Sequence, residues 1–483
     1  MPIPTVRSRV GFPGSVLLLF AAGCVPAIPP DPTPRSVPAA FADATERDTK
    51  DTTGSGVLEF RRFFRDSTLV ALIDTAMRQN PEGLAALQEI EMARNELQAV
   101  RGRLAPQVVA RASLGVDKVG RYTAEGAGNA STEMTPGVPV AEPLPDINLG
   151  FLAGWEVDIR GKIRNQRGAA LSRYLGSVEG RRYVLTALVA EVANTYYELT
   201  ALDAKLAIIR EAIDVQRRQL DVVKAQKEAA VVSELAVQRF EALQLNARGM
   251  EYEVRQEIQA AENRMNRLLG RLPQPVPRAP VTAAAEAGLT LAGELPSQLL
   301  RRRPDIRHAE LEVEATRFDV RAARAEFYPE INLVGGLGVN AFKSSVLWST
   351  PESMAFSLAG DVLAPLLNRR AITAELGRAS ANQRRALFDY QRTVLEGFSE
   401  VATLISAIGN LDSLYAIKTR QAQTLDRSVG IANDLFTSAH ADYLEVLTVQ
   451  REAIDAKLEV IETHLRQQVA TTNLYRAFGG GWR

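Results

Sequence analysis

The chain of 483 residues has a single cysteine, Cys24, and only three histidines, His308, His440 and His464. So few soft ligands exclude a Cys/His metal cluster. No disulfide can form within the chain, and no metal or other cofactor is expected. Neither sign of charge is in excess, since 57 acidic and 57 basic side chains cancel. A nucleic-acid-binding surface normally carries a basic surplus, so no nucleic acid is expected as a partner. Proline is missing from 146 to 272 and again from 366 to the end. Proline is the strongest helix breaker, so these tracts permit helices of unusual length. Catalytic groupings are also missing. Glu191 and Glu198 have no histidine or second acid at a catalytic spacing. Gly479-Gly480-Gly481 has no strand before it and no lysine after it, so it is not a phosphate loop. No enzyme is expected.

What is present begins with an export signal over residues 1–23. Arg7 and Arg9 precede the apolar run Val16-Leu17-Leu18-Leu19-Phe20, which is too short to span a bilayer as a helix. Ala21-Ala22-Gly23 then leads into Cys24, an arrangement that resembles a bacterial lipobox with Cys24 as the acylated first residue. Acyl chains contribute about 0.8 kcal/mol per buried CH₂, so a multiply acylated cysteine is a firm anchor in outer-membrane lipid. Val25, rather than an aspartate, follows it, which by the same resemblance points to the outer membrane. Residues 24–56 are rich in Pro, Asp, Thr and Ser and read as a tether.

The mature chain says nearly the same thing twice. Arg78-x-x-Pro81, a helical run and Leu104-Ala105-Pro106-Gln107-Val108 are matched by Arg301-x-x-Pro304, a helical run and Phe327-Tyr328-Pro329-Glu330-Ile331. Pro81 and Pro304 are separated by the same interval as Pro106 and Pro329. Leu152-Ala153-Gly154 and Leu358-Ala359-Gly360 follow, and each half then enters a proline-free tract. A duplication of this size implies two pseudo-equivalent halves. They are placed at 57–272 and 298–483, with a Pro- and Ala-rich equatorial linker at 273–297.

Heptad stripes run through the proline-free tracts: Leu206, Ile209, Ile213, Gln216, Leu220 and Val223; Phe240, Leu243, Ala247, Met250 and Val254; Val394, Phe398, Val401, Ile405 and Ile408; Leu425, Val429, Ala432 and Phe436; Leu447, Ile454, Leu458, Ile461 and Leu465. Such stripes make coiled-coil seams or the core of a helical bundle. Helices over about 163–229 and 367–438, each roughly 100 Å long at 1.5 Å per residue, are expected to turn at 229–233 and 438–442. They return as partners over about 233–270 and 442–478. Between the helices, residues 107–116, 147–158, 330–339 and 353–362 alternate as transmembrane β-strands do. The loop over about 121–146 reads as an exposed surface loop, longer than its counterpart at 341–352. Four strands cannot close a barrel, and an open edge cannot face lipid. The expected fold is therefore mainly α with a membrane β-barrel whose strands come from several copies of the chain; three copies would give twelve strands, an even number.

Several segments together resemble the outer-membrane efflux protein family, the outer-membrane factors of tripartite pumps, and its lipidated branch in particular. They are Leu299-Leu300-Arg301-Arg302-Arg303-Pro304-Asp305-Ile306 with Ala309-Glu310, Phe327-Tyr328-Pro329-Glu330-Ile331, Trp155-Glu156-Val157-Asp158, Pro365-Leu366-Leu367-Asn368, Tyr443-Leu444-Glu445-Val446-Leu447 with Gln450-Arg451, and the ending Leu474-Tyr475-Arg476-Ala477-Phe478-Gly479-Gly480-Gly481-Trp482. The resemblance runs from about 57 to 482. It implies a homotrimer with a β-barrel in the outer membrane and an α-helical barrel through the periplasm. That conduit would dock with a periplasmic adaptor (membrane fusion) protein and an inner-membrane pump and would do no chemistry itself. By the same resemblance, residues 271–297 and the tail after 482 belong to a belt around the helical barrel.

The resemblance also implies a gate at the helix tips. Leu444 and Glu445 are its candidates, with Thr448 where many members have an aspartate. Threefold symmetry would bring three copies of Glu445 close together, and a ring of carboxylates attracts cations. Arg451 is a candidate partner for an acid of a neighbouring helix. Val231, Val232, Ser233 and Leu235 at the first tip, and Leu444 at the second, are candidates for adaptor contact or for packing. Arg301-Arg302-Arg303 reads as a helix start, not a nucleic-acid patch. Two rival readings remain: an outer-membrane channel for type I protein secretion, and a non-conducting periplasmic coiled-coil scaffold, which predicts no barrel strands.

Overall fold

The computed structural model describes residues 59–279, 301–367, 369–438 and 440–482. The export signal, Cys24 and the tether lie outside these residues, as does most of the 273–297 linker. In chain order the described elements are helices α1 (Phe60–Phe63), α2 (Ser67–Gln79) and α3 (Pro81–Gly102), strand β1 (Gln107–Asp117), helix α4 (Ala124–Ser131), strands β2 (Glu133–Thr135), β3 (Val138–Pro139) and β4 (Leu144–Glu156), helices α5 (Lys162–Glu228), α6 (Glu234–Leu268) and α7 (Pro304–Ala325), strand β5 (Glu330–Ala341), a 3₁₀ turn (Ser344–Val346), strand β6 (Met354–Leu363), and helices α8 (Arg370–Thr437) and α9 (Tyr443–Ala477). Helices α3 and α7 have 22 residues each, α5 and α8 have 67 and 68, and α6 and α9 have 35 each.

The chain forms two compact units that do not follow the sequence halves, because each draws residues from both. The first comprises residues 93–174 and 312–387. Its sheet is antiparallel in the order β1-β4-β5-β6. Each entry into the sheet is built the same way. At the end of α3, the amides of Arg103, Leu104 and Ala105 bond back to the carbonyls of Val100, Arg101 and Gly102 at 3.2–3.3 Å. At the end of α7, Glu326, Phe327 and Tyr328 bond to Ala323, Arg324 and Ala325 at 3.1–3.3 Å. These i→i−3 bonds tighten the last turn, and Pro106 and Pro329 then forbid further helix and force the preceding residue toward extended backbone. Two small cores hold the helices beneath: Leu97 and Val100 against Ile163 and Ala170, and Val320, Ala323 and Phe327 against Leu376 and Ala379.

The largest differences from the sequence reading are in β4 and in the loop before it. Strand β4 starts earlier, at Leu144, and ends at Glu156, because Leu144, Pro145 and Asp146 still find partners in Asp117, Val116 and Gly115 of β1. The expected exposed loop at 121–146 contains α4, capped by Thr123, whose Oγ1 accepts from the Gly126 amide at 3.1 Å, and a β2–β3 ribbon that turns at Gly137 with φ +85°.

The second unit comprises the described residues of 59–92, 175–311 and 388–482. It holds the two helical hairpins, α5/α6 and α8/α9. The 175–228 part of α5 alone rises about 80 Å. The heptad stripes of the first hairpin face its interior, with Ile209, Leu220, Val223, Phe240, Ala247 and Val254 buried. Those of the second hairpin are mostly half-buried in the single chain.

The ends of both hairpins are tied to the residue before each repeated proline. Asn80 accepts from the Glu82 and Gly83 amides at 2.9 and 3.0 Å, capping α3, and its Nδ2 donates to the Leu268 carbonyl at the end of α6, at 2.9 Å. Arg303 holds the matching place before α7 and donates to the Ala477 carbonyl at the end of α9, at 3.1 Å. Its side chain is only 8% exposed, and it also bonds Glu400 at 2.8 Å and Asp305 at 2.8 and 3.1 Å. Arg303 is thus a buried knot, a role that reading the arginine triplet as a helix start did not anticipate.

Candidate functional site

The register of the sheet gathers every polar side chain of its strands on one face. Residues directly opposite one another across the ladder share a face. One face therefore carries Val108, Ala110, Ala112, Leu114 and Val116 of β1; Ile147, Leu149, Phe151, Ala153 and Trp155 of β4; Ile331, Leu333, Gly335, Leu337 and Val339 of β5; and Met354, Phe356, Leu358, Gly360 and Val362 of β6. It is apolar residues and glycine throughout, and Leu358 is 84% exposed. The other face is mixed: it carries the polar side chains Arg111, Ser113, Asn148, Asn332, Asn340, Ser357 and Asp361, among small residues and Val109, Leu152, Val334 and Leu363. Asn340 Nδ2 donates to Asp146 Oδ1 across it at 2.9 Å. At Gly150 and Gly338 the strands approach so closely that a Cβ on Gly150 would meet Leu337 O at 2.6 Å. Strands of 10 to 13 residues would reach about 25 Å at the tilt usual in barrels, the height of an outer-membrane apolar band. At the helix-proximal end, Trp155 Nε1 donates to the Leu104 carbonyl at 3.1 Å, which places an amphipathic ring at the border of the apolar band.

Strands β1 and β6 are the two edges, and each leaves one row of backbone donors and acceptors without a strand partner among the described residues. In hydrocarbon such an edge is untenable, because every unpaired peptide group costs several kcal/mol.

The hairpin tips lie in the second unit. At the first, α5 ends in a Schellman pattern: Val231 N bonds Gln226 O at 2.9 Å and Ala230 N bonds Lys227 O at 2.9 Å. Ala230 occupies the left-handed position, φ +57°, where glycine is the usual residue. Lys227 pairs with Glu234, and Gln238 Nε2 donates to Glu234 at 2.9 Å. The Gln238 hydrogen bond and then Lys227 hold the Glu234 carboxyl below its ordinary range. Val231 and Leu235 are 67% and 56% exposed, and Ser233 is exposed beside them. Val232 is not available in the same way. It packs on the tip core of Leu220, Val223, Ala236, Val237 and Phe240, where Phe436, Tyr443 and Leu447 of the second tip also pack.

At the second tip, Leu444, Glu445, Thr448 and Arg451 share the exposed face of α9, while Val446, Gln450 and Ala453 turn inward. Thr448 Oγ1 is spent on the Leu444 carbonyl at 2.8 Å. Glu445 has no side-chain partner among the described residues. Arg451 reaches only Asp455, on its own helix, at 3.9 Å, so within one chain it ties no second helix. Among the described residues no group of acids, histidines or cysteines is arranged to hold a metal.

The profile of the outer membrane efflux proteins matches residues 72–271 and 295–480. The toluene efflux pump outer membrane protein TtgI of Pseudomonas putida is 27% identical over 425 residues, covering 87% of each chain. The probable outer membrane lipoprotein SilC of Salmonella typhimurium is 25% identical over 467 residues, 96% of this chain and 97% of its own. Among solved structures, the outer-membrane channel OprN superposes with a TM-score of 0.82 at 25% identity, covering 94% of this chain and 99% of that one.

Proposed function

The chain belongs to the outer membrane efflux protein family, and on that premise we propose that it works as a passive, gated conduit made of three copies. It is an outer-membrane component of a tripartite efflux system, and its family is one of channels, not of enzymes. The proposal concerns how this chain builds that channel. Four strands from each of three copies close a twelve-stranded barrel, with the apolar face on lipid and the polar face lining the lumen. The observation that carries it is the sheet: one wholly apolar face, a second face that holds all of its polar side chains, and two open edges. No scaffold without a barrel would need that combination. The half-exposed stripes of α8 and α9 leave apolar surface for neighbouring copies to cover. An 18-residue window of α8 with a mean hydropathy of 1.2 is only 11% buried in the single chain.

The two sequence halves, 57–272 and 298–483, are pseudo-equivalent repeats whose helical hairpins form an α-helical barrel in the periplasm. Cys24 carries the lipid anchor. Glu445, repeated three times around the axis, forms an acidic constriction, flanked by Leu444 and Thr448. Arg451, free of any second helix in the single chain, pairs with an acid of a neighbouring copy. Val231, Ser233, Leu235 and Leu444 present an apolar contact surface to a periplasmic adaptor, which links the conduit to an inner-membrane pump. The relative's toluene is not carried over: a neutral conduit takes its substrate from the pump.

The test is edge pairing between copies. Cys24 is the only native cysteine, and as the acylated anchor it has no free thiol, so introduced pairs report cleanly. One cysteine goes on β1 (Val108, Ala110 or Ala112) and one on β6 (Phe356, Leu358 or Gly360). In one register, oxidation is expected to give a ladder ending at covalent trimers. Disulfides confined to single chains or stopping at dimers would sink the proposal.

A further inference from the structure

Helix α5 meets α9 along a seam unlike the interior of the first hairpin. Between α5 and α6 the contacts at the tip are apolar: Leu220 and Val223 on Ala236, Val237 and Phe240. Between α5 and α9, polar side chains recur. Asn194 Nδ2 donates to Asn473 Oδ1 at 3.3 Å, and Lys205 Nζ donates to Glu462 Oε2 at 3.1 Å. Positions 194, 205 and 216 of α5 are about eleven residues, or three turns, apart, so they share a face. Positions 473, 462 and 450 of α9 descend in step, as an antiparallel pair requires.

The third rung, Gln216 with Gln450, is different. These side chains are among the most buried polar groups of the described residues, 2% and 5% exposed, yet Nε2 and Oε1 of both have no hydrogen-bond partner among the described residues. Both line a cavity of about 130 Å³, together with Val215, Ala453 and the Asp426–Lys457 ion pair, which is closed on itself at 2.6 Å. A buried amide atom left unpaired costs about 1–3 kcal/mol, so four of them make a dry cavity untenable. The occupant has to both donate and accept, since each amide does both. Room is not limiting, because one water needs only about 10–15 Å³. Asp426 and Lys457 neutralise each other, and the remaining charge, Glu211, is exposed to solvent at the rim, so the buried amides themselves face a neutral occupant that both donates and accepts.

We propose that this cavity is a binding site for ordered water bridging Gln216 and Gln450, and that this hydrated rung is where α9 slides from α5 when the tip opens. The sliding role rests on the gated-conduit reading; the water site does not. Gln450 sits about 10 Å above the start of α9 at Tyr443, next to the moving end. Water-mediated bonds re-form after a shift at little cost, whereas interlocked apolar side chains have to be unpacked. Between this rung and the tip, Tyr443 and Leu447 of α9 rejoin the apolar tip core, so the hydrated rung is the easily broken step of the seam just above that core.

The experiment uses the full-length protein and the double variant Gln216→Leu/Gln450→Leu. In the wild type, a structure that resolves water is expected to show molecules bonded to the four amide atoms. Amides bonded directly to each other or to a neighbouring copy, or an empty cavity, would overturn the site. The double variant is expected to melt higher and, in planar bilayers, to open about tenfold less often, the change that about 1.4 kcal/mol produces. Water present with an unchanged opening frequency would overturn the sliding role. A variant that failed to assemble would contradict the expected gain in stability. If the wild type itself never conducted, the conduit reading would fail, while the structure would still decide the water site.

Discussion

Neighbouring residues of β6 should respond in opposite ways to the same substitution. Leu358 stands near the middle of the apolar face and is 84% exposed; Ser357 stands on the polar face. Arginine on the lipid side of a barrel costs about 2–4 kcal/mol at the bilayer midplane. Losing the lipid burial of Leu358 adds on the order of 1–2 kcal/mol. Leu358→Arg should therefore cost about 4 kcal/mol per chain, a roughly thousandfold shift against membrane assembly, and a closed trimer incurs it three times. Ser357→Arg projects into a wide, wet lumen and should cost less than about 1 kcal/mol. The assay is the fraction of heat-modifiable trimer recovered from outer membranes, with urea-dependent folding into lipid vesicles for the energies. Equal effects of the two substitutions, or a larger effect at Ser357, would refute the assignment of the two faces.

Other positions give independent checks. Arg303→Met leaves Asp305 without its buried cation, Glu400 with only Arg476, and the Ala477 carbonyl without its donor. It should cost about 3 kcal/mol, read as faster thermal inactivation, and Arg303→Lys should recover less than half of this because one ammonium cannot serve three partners. Ala230→Gly removes the left-handed strain at the first tip and should stabilise the hairpin by about 1 kcal/mol, seen as slower amide exchange over 226–236. The Tyr196 hydroxyl donates to Asp66 Oδ2 at 2.5 Å, and burial first, with the Asp66 hydrogen bond and charge, raises its pKa to about 12. Its folded pKa is above the unfolded value of about 10. Its stabilising contribution is thus complete below pH 10 and lost as pH rises toward 12, and Tyr196→Phe should flatten an alkaline melting series in that window.

Most of the architecture was legible because it follows from one-dimensional signals. Missing prolines and heptad stripes located α5, α6, α8 and α9 to within a few residues, and the four strands alternated. The polar contacts were not legible. Arg303 and Asn80 perform matching tasks with unlike side chains, so only the fold shows that both tie off a hairpin. Gln216 was legible as a seam residue, but Gln450 faces it from a helix more than two hundred positions away, and the cavity between them exists only after folding. The compact first loop was hidden because its helix is short and glycine-rich. At the tips, exposure separates Val231 and Leu235 from Val232, which periodicity alone does not do.

The most direct test of a gated conduit is single-channel recording of the purified protein in planar bilayers, wild type beside Glu445→Ala. The account predicts a small, cation-selective conductance in the wild type that rises, and loses selectivity, when the carboxylate ring is removed. A folded trimer that passes no current in either form would contradict the conduit, and a large conductance indifferent to Glu445 would contradict the gate.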